Sequence, residues 1–161
     1  MNRSVVHPAG RKRRWVLLGL ATAAAVGLGI REYRLIPPEY SGGQLNVTEA
    51  HAQATAGDIV LVDIRRPDEW QATGVGVGAY PIDMRRPDFV EALVRIAGPD
   101  LDRPIALICA RGVRSARLSL ALTEAGYTRI IDVPEGMLGS RAGPGWLGAE
   151  LPLQTAVEAD G

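Results

Sequence analysis

Pro104-Ile105-Ala106-Leu107-Ile108-Cys109-Ala110-Arg111-Gly112-Val113-Arg114-Ser115 decides how this chain folds. Its first five residues form an apolar run with no helical spacing, introduced by a proline, and read as a strand buried on both faces. From Ser115 to Ala125 the chain offers Leu118, Leu120, Ala121 and Leu122 for a packed helix face, and Gly126 supplies the stop. The only cysteine therefore falls on the turn between a strand end and a helix N-terminus. There the first backbone N–H groups lack intrahelical partners and the helix dipole is positive, so a sulfur anion meets several donors at once. Arg111 and Arg114 add two positive charges, and Gly112 permits a backbone conformation that other residues resist. A cysteine ending a core strand is ordinarily a small hydrophobe. Two arginines and a glycine in the next five positions point instead to a thiolate nucleophile.

Outward from this loop, strands and helices alternate. Ile59 to Ile64 and Arg129 to Val133 are two more strand-like runs, and Thr48 to Ala56 and Pro87 to Ala97 are two more helical segments. Gln44 to Val47 and Ala79 to Ile82 can add two short strands. Such alternation predicts an α/β fold of three layers, a small parallel sheet with helices on both faces. Ligands of such sheets bind beyond the carboxyl ends of the strands, where both Cys109 and Asp63 fall.

Cys-x-x-Gly-x-Arg-Ser after an apolar strand resembles the active-site loop of rhodanese domains, sulfurtransferases that carry sulfur as a cysteine persulfide. Val60-Leu61-Val62-Asp63-Ile64-Arg65 followed by Pro67-Asp68-Glu69-Trp70 is similar to that family's first signature, an Asp-x-Arg leaving a buried strand and a short helix carrying Glu-aromatic. Gly74-Val75-Gly76-Val77-Gly78-Ala79 matches the Gly-His-Ile-x-Gly-Ala stretch in part, with Val75 for the histidine and Gly76 for the isoleucine. Val133-Pro134-Glu135-Gly136-Met137, Trp146 and Leu151-Pro152-Leu153 resemble the closing elements, with a longer Gly139 to Gly145 stretch between them. The resemblance implies a rhodanese-like fold and Cys109 as catalytic residue. It also implies that Arg111, Gly112, Val113, Arg114 and Ser115 bind substrate, with Asp63 and Arg65 in support.

Composition sets the frame. The chain has 161 residues, enough for one domain with one core, and its single Phe89 leaves that core to Leu, Ile, Val and Ala. Residues 1–34 hold seven Lys or Arg against Glu32, leaving the remainder with a net charge of −6, unlike a nucleic-acid binder. Arg11-Lys12-Arg13-Arg14 precedes Trp15 to Ile30, an uncharged run closed by Arg31 and Arg34. Sixteen helical residues reach about 24 Å, short for a ~30 Å hydrocarbon core and long for a signal peptide's apolar region. Ala21-x-Ala23 and Ala23-x-Ala25 offer cleavage sites, and Lys12-Arg13-Arg14-Trp15 resembles a twin-arginine signal, but either cut leaves an apolar stub, so an uncleaved anchor is the better reading. The heavier positive charge before the run places the domain outside the cytoplasm, in a bacterium the periplasm. The expected organisation is a basic tail (1–14), a transmembrane anchor or uncleaved signal helix (15–30), a linker (31–43), the rhodanese domain (44–153) and a disordered tail (154–161).

Other signals carry less. Gly74-x-Gly76-x-Gly78 precedes a strand and reads as a turn; His7 and His51 read as surface residues, and no metal site or cofactor is indicated. Arg65-Arg66-Pro67-Asp68 and Arg85-Arg86-Pro87-Asp88 read as the same helix-start chemistry used twice. The expected function is sulfane-sulfur transfer from a small anionic, thiosulfate-like donor to a thiol or cyanide acceptor, leaving room for a protein sulfur acceptor. Two rival readings are a cysteine-based phosphatase or arsenate reductase of related fold, and a non-catalytic sulfur-binding module at the membrane. The former, as the resemblance implies, uses Cys-x5-Arg, whereas Cys109 to Arg114 is one residue shorter.

Overall fold

Residues 36–156 are described by the computed structural model. In chain order they form β1 (Gly43–Gln44), α1 (Val47–Ala56), β2 (Val60–Asp63), α2 (Pro67–Thr73), β3 (Val75–Gly76), β4 (Ala79–Pro81), α3 (Phe89–Ala97), β5 (Ile105–Ile108), α4 (Val113–Glu124), β6 (Ile130–Val133), α5 (Gly145–Gly148) and β7 (Leu153–Gln154). Five strands make one sheet in the order β1-β6-β5-β2-β4, with every neighbouring pair parallel. The expected parallel α/β architecture is therefore present.

Strand periodicity explains how this sheet is covered. Val60 and Val62 on β2, with Ile105 and Leu107 on β5, pack with Phe89, Leu93 and Leu122 on one face. Leu61, Ala106 and Ile108, one residue out of phase, pack with Val47, Trp70, Met137 and Trp146 on the other. A strand buried on both faces has no polar side to show, which is why these runs are continuously apolar. Each fully buried Leu or Ile contributes on the order of 1.5–3 kcal/mol.

Several local expectations change. Helix α4 begins at Val113 with Gly112 as its cap, two residues earlier than the apolar pattern suggests. Residues 75–76 are strand rather than turn, paired antiparallel with β7 through Val75–Gln154 and Gly76–Leu153. The Trp146 indole packs so closely that a Cβ on Gly76 would lie 2.5 Å from it, so glycine here is the space the ring fills. His51 is half-buried, its ring edge-on to Trp146 at 5.3 Å and its Nδ1 3.2 Å from the Val77 carbonyl oxygen. The two Arg-Arg-Pro-Asp strings also diverge: Pro67 starts α2, but Pro87 precedes Asp88, the N-cap of α3.

The domain edges are set by packing. Tyr40 packs on the core, its hydroxyl donating to the Ile130 carbonyl at 2.7 Å, and Gly43 lies in β1, within the segment read as linker. Gln154, read as tail, belongs to β7 and donates from Nε2 to the Ala79 carbonyl at 2.9 Å. The hydrophobic segment 15–30 and the acidic end from residue 157 lie outside the described residues. No helix among the described residues is long and apolar enough to cross a membrane.

Candidate active site

Cys109 leaves the carboxyl end of β5 and is 1% exposed. The loop after it is pinned from behind. The Cys109 and Ala110 carbonyls accept from the Met137 and Leu138 amides at 2.8 and 2.9 Å, and the Ile108 carbonyl accepts from the Ile64 amide at 3.0 Å. With the carbonyls so engaged, the amides of residues 110–114 find no acceptor among the described residues and are left for an anion. Two glycines make this approach possible. Gly112 has φ +82°, and a Cβ there would lie 2.2 Å from the Pro134 carbonyl oxygen; one on Gly136 would lie 2.6 Å from the Ala110 carbonyl carbon. The Cys109 thiol donates to the Ser115 hydroxyl oxygen at 3.6 Å, and Ser115 donates to the Gly112 carbonyl at 3.1 Å.

The two loop arginines, equivalent in sequence, differ in the fold. Arg111 is exposed and makes one long bond, Nη1 to the Gly139 carbonyl at 3.4 Å. Arg114 is 29% exposed and grips the Glu69 carboxylate of α2 with Nη1 and Nη2 at 2.8 and 2.7 Å. Those bonds raise Arg114 above its ordinary range against the effect of burial, and negative charge at Cys109 acts in the same direction. Burial pushes Glu69 up, but the Arg114 bonds, the Arg66 amide and both guanidinium charges more than offset it, and the group sits below the usual glutamate value. Glu69 also accepts from the Arg66 amide at 3.1 Å, so one side chain caps α2 and fixes Arg114.

Asp63 and Arg65 form a clasp inside the protein, 0% and 1% exposed. Arg65 Nε and Nη2 reach the Asp63 carboxylate at 2.9 and 2.7 Å, while its remaining donors reach Thr73 Oγ1 and the Gly74 carbonyl, each at 2.7 Å. The pair ties β2 to the end of α2, which carries Glu69. Its side chains therefore act behind the site. Asp83 and Arg85, after β4, repeat the clasp at 3.0 and 2.6 Å, but Arg85 is 62% exposed.

Two acidic residues here were given no role by the sequence reading. Glu135, buried and matching the glutamate of the closing element that the sequence resembles, accepts from the Gly145 amide at 3.0 Å and braces the long 139–145 stretch. Asp132 on β6 is 2% exposed and its Oδ1 has no hydrogen-bond partner among the described residues. Burial pushes it up to about 6, although the Ser115 hydroxyl and the Val133 amide work the other way. An Ile-Ile-Asp-Val strand signals an inward carboxylate only once the register is known, because alternation alone does not say which face is covered. Among the described residues no cluster of metal-ligating side chains occurs. A cleft of about 520 Å³ lined by Gly57, Tyr80 and Arg103 opens at the amino ends of β2 and β4, away from Cys109.

Comparison with known proteins agrees with this geometry. A family model described as a rhodanese-like domain matches residues 46–141. The thiosulfate sulfurtransferase GlpE of Stutzerimonas stutzeri is 32% identical over 106 residues, covering 65% of this chain and 82% of that protein. The tRNA sulfurtransferase of Shewanella amazonensis is 30% identical over 115 residues, 71% of this chain but only 22% of that longer protein. Among solved structures, the polysulfide-sulfur transferase homodimer of Wolinella succinogenes shares the fold at a TM-score of 0.55, with 24% identity over 85% of this chain and 92% of that one. With its parallel sheet, its cysteine-bearing loop and these matches, the chain belongs to the rhodanese-like domain family of sulfurtransferases.

Proposed function

We propose that the protein moves sulfane sulfur from a small anionic donor such as thiosulfate to a thiophilic acceptor through a persulfide on Cys109. The observation that carries this reading is the cradle around Cys109, whose loop amides are unclaimed and whose sulfur lies against Ser115. The Cys109 thiolate attacks the outer sulfur of the donor. A sulfur–sulfur bond forms, the old one breaks, and sulfite leaves with the bonding pair. Cyanide or a thiol then attacks the outer sulfur of the persulfide, giving thiocyanate or a new persulfide and restoring the thiolate. No external oxidant or reductant is needed.

Roles divide by exposure. Arg111, open to solvent, meets the incoming anion, while Arg114, held by Glu69, contributes a fixed positive charge near the sulfur. Gly112, Val113 and Ser115 supply the turn, the first amide of α4 and the hydroxyl. Asp63 and Arg65 hold the frame.

Mass spectrometry of the protein after thiosulfate treatment tests the reading: one added sulfur, about 32 Da, is expected on Cys109. Cys109→Ser should abolish it, and a Cys109→Ser chain that still gains sulfur would overturn the mechanism. The charge asymmetry about residues 15–30 supports a further part of the reading, that this segment anchors the domain on the extracytoplasmic side. A reporter fused after Gly161 that works only outside the cytoplasm should be active; full recovery in the soluble cytosolic fraction would overturn that placement.

A further inference from the structure

The stretch 138–145 packs against the cysteine loop, and the reaction above gives it no part. Ser140 and Gly143 pair across a tight antiparallel bridge, the Ser140 amide donating to the Gly143 carbonyl at 3.0 Å and leaving Arg141 and Ala142 as the tip. The bridge is closely held. Ser140 Oγ donates to the Pro134 carbonyl at 2.8 Å and accepts from the Ala142 amide at 3.0 Å, and a Cβ on Gly143 would lie 2.5 Å from the Glu135 carboxyl carbon. Its base is bonded to the loop that carries Cys109: the Leu138 amide donates to the Ala110 carbonyl, and Arg111 Nη1 donates to the Gly139 carbonyl. Arg141 follows Gly139 by two positions, so its Cα lies within about 7 Å of the Cα of the residue that the Arg111 guanidinium touches.

Charge separates these two arginines from their neighbours. Arg65 and Arg66 after β2, Arg85 and Arg86 after β4, and Arg114 after β5 each hold a carboxylate. Arg111 after β5 and Arg141 after β6 are exposed, and neither holds a carboxylate among the described residues. Glu135, the acidic group beneath the bridge, is buried and bonded to the Gly145 amide. Leu138, at the base of the bridge, is 42% exposed. Two uncompensated guanidinium groups and a bare apolar side chain therefore sit together beside the cysteine loop.

We propose that the 138–145 stretch is a recognition arm for the sulfur acceptor, and that Arg141, together with Arg111, selects an organic thiol that carries carboxylates. This rests on the sulfur-transfer reading and names the class of acceptor for it. A guanidinium takes a carboxylate through two parallel N–H···O bonds, so two of them on one side of the loop suit a thiol with two carboxylates, and Leu138 suits its carbon chain. The acceptor thiolate attacks the outer sulfur of the Cys109 persulfide. A sulfur–sulfur bond forms in the acceptor, the bond to Cys109 breaks, and its electron pair returns to Cys109 as the thiolate. Cyanide and uncharged thiols undergo the same step without help from the arm.

Mercaptosuccinate, a thiol with two carboxylates, and 2-mercaptoethanol, a thiol with none, test the arm on protein loaded from thiosulfate. With KM expressed as thiolate concentration, the wild-type chain should discharge to mercaptosuccinate at the lower KM. Arg141→Ala should raise that KM about three- to tenfold, as for an exposed charge-assisted contact, with KM for 2-mercaptoethanol and the unfolding midpoint unchanged. Arg141→Lys should recover part of the loss, and Arg141→Glu should deepen it. Equal KM values for the two thiols in the wild-type chain would overturn the proposal, as would a rise in Arg141→Ala that is the same for both. Methylthiosuccinate keeps both carboxylates but has no thiol to accept sulfur, so it reads binding without turnover. Titrated into the wild-type chain, it should shift the arginine Nε–H NMR signal that disappears in Arg141→Ala, and a signal that stays in place overturns the inference. Should thiosulfate leave no sulfur on Cys109, the transfer reading fails, and the methylthiosuccinate titration still decides whether the carboxylate site exists.

Discussion

Arg114 and Glu69, 45 positions apart in the chain, are joined by two nearly equal bonds of 2.8 and 2.7 Å that hold the cysteine loop to the helix after β2. The pair is half-buried and planar on both sides, the geometry in which a guanidinium and a carboxylate bind most strongly. Glu69→Gln should lower stability at pH 7 by about 1–3 kcal/mol, because it leaves a partly buried cation with a weakened partner. Folded Glu69 sits below its ordinary value, so its contribution is present above the usual glutamate range and is lost as pH falls through the lowered value. Urea midpoints should therefore separate wild type and variant at pH 7 and converge in acid.

The repeated Asp-x-Arg clasp makes an internal control for burial. Arg65→Ala strands the Asp63 carboxylate in the interior and should cost on the order of 3–5 kcal/mol. Arg85→Ala removes a guanidinium that is 62% exposed from a carboxylate that is 10% exposed and keeps its bond from the residue-85 amide, and should cost less, about 1 kcal/mol. Thermal denaturation of the two variants side by side measures the difference.

Gly112 and Gly57 have nearly the same left-handed φ, +82° and +80°, but only Gly112 is crowded. Gly57→Ala meets nothing within 4 Å, so its cost should be the conformational one alone, about 1 kcal/mol. Gly112→Ala drives a methyl against the Pro134 carbonyl and should cost several times as much, and sulfur loading of Cys109 should fall with it. Denaturation midpoints and the mass shift after thiosulfate read the two effects.

Asp132→Asn should stabilise the protein above pH 6. A carboxyl raised to about 6 in the fold binds its proton more tightly than in the unfolded chain, so its contribution is favourable below the ordinary aspartate value and is lost as pH rises through about 6. The asparagine variant escapes that loss and should gain on the order of 2–3 kcal/mol at pH 8 relative to its standing at pH 4. Denaturant unfolding at those two pH values gives the comparison.

On the proposed mechanism, Arg111→Ala should raise KM for thiosulfate roughly tenfold with the fold's stability unchanged, since its side chain is exposed and weakly bonded. Arg114→Ala should lower both kcat and stability, and Arg114→Lys should recover only part because an ammonium lacks the planar fork. Steady-state rates over a range of thiosulfate, with unfolding midpoints for each variant, separate the two roles.

Local pattern was enough for much of this protein. The apolar runs at 60–62 and 105–108 read as two-sided strands, the helical segments between them require parallel connections, and a cysteine followed by Gly112 and two arginines lies where such a strand meets a helix. These features were legible because each depends on residues within a few positions of one another. The division of labour between Arg111 and Arg114 was not, because it depends on Glu69 arriving from another helix. Gly76 reads as a turn in sequence, whereas in the fold it is a strand residue whose missing side chain leaves the space that Trp146 fills. Asp132 falls within the strand-like run 129–133, but its burial depends on the sheet register, which pairs it with Leu107. Periodicity fixes which residues lie on the same face of an element, whereas burial, charge pairing and proton affinity depend on what the rest of the chain packs against that face.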